Sequence, residues 1–513
     1  MKHNILAVLL AALMLTPALA SCGGGETETT ADTAVQGDTV SGDAEADLFA
    51  AYRGIDLGGR SVRISVSSNI SENGGGMPTS YPYIAGPEEM TGESVQDSVF
   101  QRNMEVEEML NCTLEHEALD LNFDQVQPHI ESLVMSGDAA VDYYVNDQLG
   151  LLHCGLKGYL LDLADKSMFG EYYFDLDSDV YYSEYMQQLS VGDKRFIITG
   201  DYFIDTMRAA HVLYLNKNIV TELYGDSNYV YNLVLDDDWT LAKMNEMITE
   251  AYQDTNGDGT PDENDIYGLT GHSSGWAFPY YAFYYSTDCK VVSFDDKGLP
   301  YINENSQEAL SKMAEYLITT DTSIGIWKTT TVADSLKKFV NGQAMLTFFQ
   351  KVGDMEQSSI RDFDGMGVIP YPKMDDNQAI YRTLVHDTAE MGAVPITTVG
   401  EAATAVSAVI QVLSTHAHEY LLEGYYEVAL KSKYAQDAYT AQMLDIVVAG
   451  ISAPFEFAYE LGFGTDSFLN TITFQPIADS ITKGTDVTAS TFATLLPAAQ
   501  TRLQELTAIY TEN

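Results

Sequence analysis

The sequence predicts an α/β protein of at least two lobes, built on a largely parallel sheet. Three observations carry this expectation. The chain has 513 residues, too many for one ordinary hydrophobic core. Strand-like and helix-like runs alternate through its first third. Hydrophobic residues make up 45% and charged residues 20%, the balance of a folded soluble chain.

The chain starts with Lys2 and His3, then an apolar run over residues 5–15 of signal-peptide length. That run is too short for a transmembrane helix, and no later segment is long and apolar enough for one. Leu19-Ala20-Ser21-Cys22 follows and resembles the lipobox of bacterial lipoproteins. The resemblance implies a signal peptide over residues 1–21. It also implies a lipidated Cys22 that anchors the protein to the outer leaflet of the bacterial cytoplasmic membrane. Residues 22–50 are acidic and polar with few large apolar side chains, so they read as a disordered tether. A coil of about 25 residues holds the folded body about 25–30 Å from the membrane. Cys112, Cys154 and Cys289 remain, an odd set that reads as packed free thiols with at most one bridge.

The folded body begins near Leu57. Residues 60–67 (RSVRISVS) alternate Val62, Ile64 and Val66 with polar neighbours, which is strand period. Residues 94–110 predict an amphipathic helix with Val95, Val99, Met104, Val106, Met109 and Leu110 inward. A strand at 112–117, a helix at 123–135 and a strand at 141–145 continue the alternation. Further strands are expected at 194–199, 212–215, 344–349 and 366–370. Helices are expected at 240–252, 307–319, 333–341 and 402–431, with a mainly helical remainder. Trp239 reads as a core residue stapling the helix that follows it.

The net charge is −49, from 75 acidic and 26 basic residues, so the surface repels nucleic acid and anionic lipid. The 33 Tyr against 3 Trp suit either ordinary packing or a wet cleft for polar ligands with flat faces. In parallel α/β sheets ligands sit beyond the carboxyl ends of strands, and Asn69, Asn146 and Asp147 occupy such places.

The order of pieces carries a wider resemblance. The leader and tether come first, then VRISVS, Arg102-Asn103 with Glu107, and Ser136-Gly137-Asp138 ahead of DYYV. YLNKN, DDDWT, DIYGL, FVNGQAMLTFF and GVIPYPK follow in order. Together these resemble the extracellular solute-binding lipoproteins of bacterial ABC importers, of the maltose-binding type. The resemblance implies a two-lobed periplasmic-binding-protein-like fold (type II), with a ligand cleft between lobes and about three chain crossings. The crossings are expected near 201–205, near 367–372 and at the end of the helix near Lys431. Lobe 1 is then 51–203 plus 370–430, and lobe 2 is 204–369 plus 431–513. The implied function is capture of a sugar or oligosaccharide by a non-enzymatic monomer that delivers it to permease subunits. The implied ligand contacts are Ser68, Asn69, Asn146, Asp147, Asp201, Trp276, Tyr280, Phe349 and Gln350. Such residues pair hydrogen bonds with sugar hydroxyls and stack aromatic planes on sugar faces. The chain lacks the Trp that the maltose type carries after DYYV and at Phe349, so Trp276 and Tyr or Phe rings would have to stack.

Competing readings exist. Gly271-His272-Ser273-Ser274-Gly275 matches the G-x-S-x-G elbow of serine hydrolases, with Asp387 and His386 downstream as partners. No glycine-rich oxyanion segment precedes it. A glycosidase pair cannot be singled out among 75 acids. A surface sensor without transport has the same sequence features.

Residues 254–265 carry the most legible metal chemistry. Asp254, Asn256 and Asp258 stand at loop positions one, three and five, with Gly259 at the sharp turn. Thr260 offers its carbonyl, and Asp262 and Asp265 hold positions nine and twelve. Pro261 stands where paired calcium loops exchange backbone bonds, so the loop is expected to hold a solitary structural Ca2+.

Overall fold

β1 (Arg60–Ser67) runs parallel to both β2 (Cys112–Leu119) and β3 (Tyr143–Asp147), in register from Arg60 opposite Cys112 to Ser67 opposite Leu119. The computed structural model that shows this describes residues 48–68, 79–121, 123–272, 280–386, 389–435, 437–459 and 468–511. The leader, residues 22–47 of the tether, Asn69, Ser273, Trp276 and Asp387 lie outside the described residues, and the expected tether stops short of Phe49, which is buried in a turn. Among the described residues no helix is long and apolar enough to cross a membrane.

Beyond the first three strands come β4 (His211–Asn216), β5 (Tyr267–His272), β6 (Val292–Phe294) and β7 (Pro300–Ile302). β8 (Ile326–Thr329), β9 (Ala344–Lys351), β10 (Met366–Ile369), β11 (Thr383–Leu384), β12 (Glu390–Ala393) and β13 (Ile451–Ser452) complete the set. One sheet has the order β12-β3-β1-β2 and the other β10-β4-β9-β5-β8. Side chains alternate across each strand. In β3, Tyr143 and Val145 join one apolar cluster and Tyr144 the other. In β4, Val212 and Tyr214 join the first, and Leu213 and Leu215 the second. Both sheets are thus covered on both faces, as parallel-rich sheets require.

The helix Ser94–Leu110 forms with the expected bounds, and its left-handed C-cap Asn111 (φ 48°) ends it. Its inward face differs from the expectation. Met104 is exposed, whereas Arg102 and Asn103 are buried because they donate to the carbonyls of Tyr83, Ile84 and Ala85. Residues 194–199 form no continuous strand, only isolated pairings such as Ile198 with Gly392. Trp239 is fully buried and donates to the Pro370 carbonyl at 3.0 Å. Cys112, Cys154 and Cys289 are buried and unbridged.

The chain leaves the first sheet through residues 201–210 and enters β4. It returns after β10, but later than residue 370. Pro372 and Gln378 still bond to Ser286, and Arg382 still pairs with Asp288. The return is marked by Val385, which bridges Ala210, and by His386, whose amide donates to the Ala209 carbonyl. The helix Glu401–His416 then lies on the helix Ser94–Leu110 and continues as wider π-type turns through Glu423–Tyr434. Ala438–Ala449 packs on β10, and Phe468–Lys483 with Thr488–Thr511 on Ser306–Thr322.

One buried cation ties these crossings together. Arg208 is fully buried and bonds Asp205 at 2.9 Å and Glu356 at 3.0 and 3.2 Å. Tyr83 stacks on its guanidinium at 4.6 Å, and Tyr425 donates to Glu356 at 2.8 Å. Asp205 in turn accepts the Glu390 amide at 2.9 Å, and the Glu390 carboxylate takes the Ser80 hydroxyl. Asp205, Glu356 and Tyr83 therefore meet at one guanidinium, and Glu390 and Tyr425 join it through Asp205 and Glu356.

Candidate ligand site

β4 begins where β9 ends, beside the second crossing. Val212 pairs with Gln350 and Tyr214 with Thr347, so β9 carries one residue more than β4 between these pairs. That bulge places Phe349 at φ 68°, a left-handed conformation that a bulky aromatic rarely holds. Its amide leaves the ladder and donates to the Tyr371 hydroxyl at 2.9 Å. Such outliers persist where surrounding structure over-determines them, and they concentrate at ligand sites.

The bulge aims the Phe349 ring into a cluster of histidines and tyrosines. Ring centres lie 5.4 Å away at His211, 5.7 Å at Tyr281, 6.1 Å at His386 and 6.3 Å at His272. His211 and His386 stack at 5.4 Å, and Tyr281 stacks on Phe457 at 5.3 Å. Burial holds the His211 pKa well below the usual imidazole range, with the charges of His386 and Lys351 acting in the same direction. The ring is therefore neutral, with one donor and one acceptor nitrogen. Its Nε2 meets the Tyr281 hydroxyl at 3.0 Å, and its buried Nδ1 has no partner among the described residues. The buried Nδ1 of His272 likewise has no partner among the described residues.

The first sheet contributes from the carboxyl end of β3. Asn146 is buried, and its Oδ1 accepts the Asp147 amide at 2.8 Å while its Nδ2 has no partner among the described residues. Gln148 connects this end to the histidines: its amide donates to Ala389 and its Nε2 to the His386 carbonyl at 2.9 Å. Buried polar atoms are nearly always bonded, so the Nδ1 atoms of His211 and His272 beside the strained Phe349 are available to a further partner.

The residues expected from sequence separate into distinct roles. Phe349 lies in the histidine cluster, Asn146 stands at the carboxyl end of β3, and Gln350 follows Phe349 with its Nε2 donating to the Phe348 carbonyl. Ser68 sits half-buried at the end of β1, its amide donating to Leu119. Asp147 caps the helix Gln148–Leu156 by accepting from Leu149 and Gly150. Asp201 is buried against His418 Nδ1 at 2.5 Å, a tie from the first crossing to the third. Tyr280 turns into the second core and donates to Asp321 at 2.8 Å. The histidines and Tyr281 were not singled out for the site from sequence. Tyr281 lies in the aromatic run YYAFYYS, and His272 and His386 carried signal only as candidate hydrolase residues.

In the acidic loop, Asn256 Nδ2 stands between Asp258 Oδ2 at 3.1 Å and Asp262 Oδ2 at 3.0 Å. Asp254 accepts the amides of Gly257 and Gly259, each at 2.7 Å. Asp265 departs from the expected ligand role. It is buried, and its two oxygens take the Thr255 and Asp262 amides and the Tyr252 hydroxyl. Lys338 clamps the loop's exit by donating to the Glu263 and Asp265 carbonyls. Among the described residues no three His, Cys, Asp or Glu side chains converge as a metal site.

No protein-family model and no curated protein matches the chain. Solved structures do match its fold. The galacto-N-biose-/lacto-N-biose I-binding protein of an ABC transporter from Bifidobacterium longum superposes with a TM-score of 0.54 at 11% identity, covering 88% of this chain and 98% of its own. A cyclo/maltodextrin-binding protein complexed with maltotetraose gives 0.51 at 13% identity, covering 87% and 97%. The fold is thus the two-lobed α/β architecture of periplasmic binding proteins.

Proposed function

We propose that the protein is the extracellular substrate-binding component of an ABC importer. It captures a sugar or oligosaccharide between its lobes and hands it to a membrane permease. The observation that carries this reading is the pair of buried nitrogens, Nδ1 of His211 and Nδ1 of His272, that lack a partner among the described residues and whose rings lie against the strained Phe349. A saccharide supplies hydroxyls for those nitrogens and a C–H face for the ring. Closure of two lobes on hinges excludes water from the complex, and the chain needs no covalent step. The similar structures named above are themselves binding proteins, one of an ABC transporter in complex with lacto-N-biose and one complexed with maltotetraose. The test is a thermal-shift and calorimetric screen of the chain from Cys22 onward against saccharides. A stabilising saccharide whose binding is lost in Phe349→Ala and His211→Ala supports the reading. A screen in which no saccharide binds, or in which any is hydrolysed, overturns it.

Two further parts belong to this proposal. Cys22 carries the lipid anchor, which mass spectrometry of the membrane fraction would detect as an acylated N-terminal cysteine. The loop holds Ca2+ through Asp254, Asn256, Asp258, Asp262 and the Thr260 carbonyl, with Asp265 bracing the backbone. What supports it is the convergence of Asp258 and Asp262 on one point, now held by the Asn256 amide.

A further inference from the structure

A pocket of about 300 Å³ lies beside the short helix Phe455–Ala458. That helix turns Phe457 toward Tyr281 of the candidate ligand site, while Phe455 and Glu456 line the pocket. Glu456 is 5% exposed, and its carboxylate accepts only neutral donors: the Tyr284 and Tyr285 hydroxyls and the Val292 amide, all at 3.2 Å. Among the described residues no Lys, Arg or His pairs with it. A buried carboxylate without a cation is costly, and it persists as a charge only when something positive approaches it.

The walls favour such an approach. Tyr285, Phe294 and Phe455 line the pocket, with Phe294 edge-on to Phe455 at 5.1 Å. Aromatic faces attract cations, most strongly where water is excluded. The rim's Arg382 is already neutralised by Asp288 at 2.8 Å, and Asp288 holds a left-handed φ of 54° to make that contact. Lys290 at the rim is exposed, so its charge is screened by solvent while that of Glu456 is not. Gln188 closes the remaining side by accepting the Ala453 amide at 2.8 Å.

We propose that this pocket binds a cationic amine, with Glu456 as its counter-ion and Tyr285, Phe294 and Phe455 as the faces that surround it. The volume fits a group the size of choline or ethanolamine, alone or as the amine-bearing part of a larger molecule. The site does not depend on the saccharide reading of the cleft.

Calorimetry of the whole folded chain with choline and ethanolamine tests it, with choline's uncharged carbon isostere dimethylbutanol as control. At least one of the two cations should bind, and the isostere should bind about tenfold more weakly or worse. Glu456→Gln should weaken amine binding about 30-fold or more, since one partner of a buried charge pair is lost. Saccharide binding should stay unchanged in that variant, which separates failure here from failure of the cleft reading. Phe294→Ala, at the pocket wall, should weaken the amine several-fold and serves if Glu456→Gln does not fold. Burial raises the Glu456 pKa, so amine affinity should increase as pH rises and the carboxylate ionises. The proposal is overturned if neither cation binds, if the isostere matches choline, or if the variants bind amine as the wild type does.

Discussion

Replacing Arg208 with Met would remove the one cation at the meeting point of the crossings while keeping most of the side chain's volume. In the intact protein the guanidinium is fully buried and bonds Asp205 and Glu356 through three contacts of 2.9–3.2 Å. Without it, Asp205 and Glu356 lie in the interior with Glu390 nearby and no compensating charge. Breaking a buried pair by deleting one partner costs about 3–5 kcal/mol, because a desolvated charge is left behind. Urea unfolding near about pH 7, read by circular dichroism, would measure this as a lower midpoint at unchanged slope. The pH dependence supplies a sharper check. Burial already raises the pKa of Asp205 and Glu390 in the wild type, and the charge of Glu356 adds to the rise at Asp205 as that of Asp205 does at Glu390. Removing Arg208 raises the carboxyls further, so the folded state of the variant binds more protons than its unfolded state. Stability contributed by an acid with a raised folded pKa is present at low pH and lost as pH rises through that value. The deficit of Arg208→Met should therefore shrink as pH falls toward about 5, and adding Glu356→Gln should recover part of it. A deficit below about 1 kcal/mol, or one that grows on acidification, would refute the account of Arg208 as the hinge's charge centre.

Three shorter expectations follow from other residues. His418 faces Asp201, Asp179 and Glu419, and its hydrogen bond to Asp201 raises its pKa. That pair should stabilise the fold below the unfolded histidine pKa of about 6.5 and fade as pH rises through the folded value. His418→Gln should flatten the melting temperature across that window; an unchanged profile would remove the pair from the account. At Phe349, Gly should be about 1 kcal/mol more stable than Ala, since only Gly accepts φ 68° without strain, while both lose ligand. Equal stability of the two variants would mean the backbone relaxes instead. Calcium should raise the melting temperature of the wild type and leave Asp258→Ala unmoved. Identical melting of the wild type in calcium and in chelator would discard the ion.

The elements that periodicity governs were legible. RSVRISVS became β1 and the amphipathic run became the helix Ser94–Leu110, because local alternation and capping decide both. What residue type alone could not reveal was the partner of each polar group. Asp147 and Asp201 carry the carboxylates a sugar site wants, yet one caps a helix and the other pairs with a histidine from the third crossing. Arg102 sits on a face that hydrophobicity assigned to Met104, since three carbonyls of the preceding turn draw the cationic and amide groups of that face inward. His211 and His386 are far apart in sequence and meet only because the two crossings run side by side. Pairings of that kind depend on topology, which no local window contains.

The same two crossings carry both the charge centre and the candidate ligand site, and this bears on how capture and closure are linked. The first crossing places Arg208 and His211 three positions apart. The second places His386 and Glu390 four apart, and their backbones are joined by the Ala210–Val385 bridge and the His386–Ala209 hydrogen bond. At one end of this ribbon Asp205 holds the Glu390 amide, and at the other His211 stacks on His386. A rotation of one lobe about the ribbon must disturb both ends together. A ligand that satisfied the unpaired nitrogens of His211 and Asn146 would therefore favour the arrangement in which Arg208 is fully paired. Differential affinity for that arrangement is the only means by which a ligand can shift the lobes toward closure. The buried ion pairs then contribute geometric definition to the closed state more than net stability. On this reasoning Arg208→Met should weaken saccharide binding without touching the site, through a faster dissociation rate in stopped-flow fluorescence. Unchanged dissociation would leave the hub as scaffold alone.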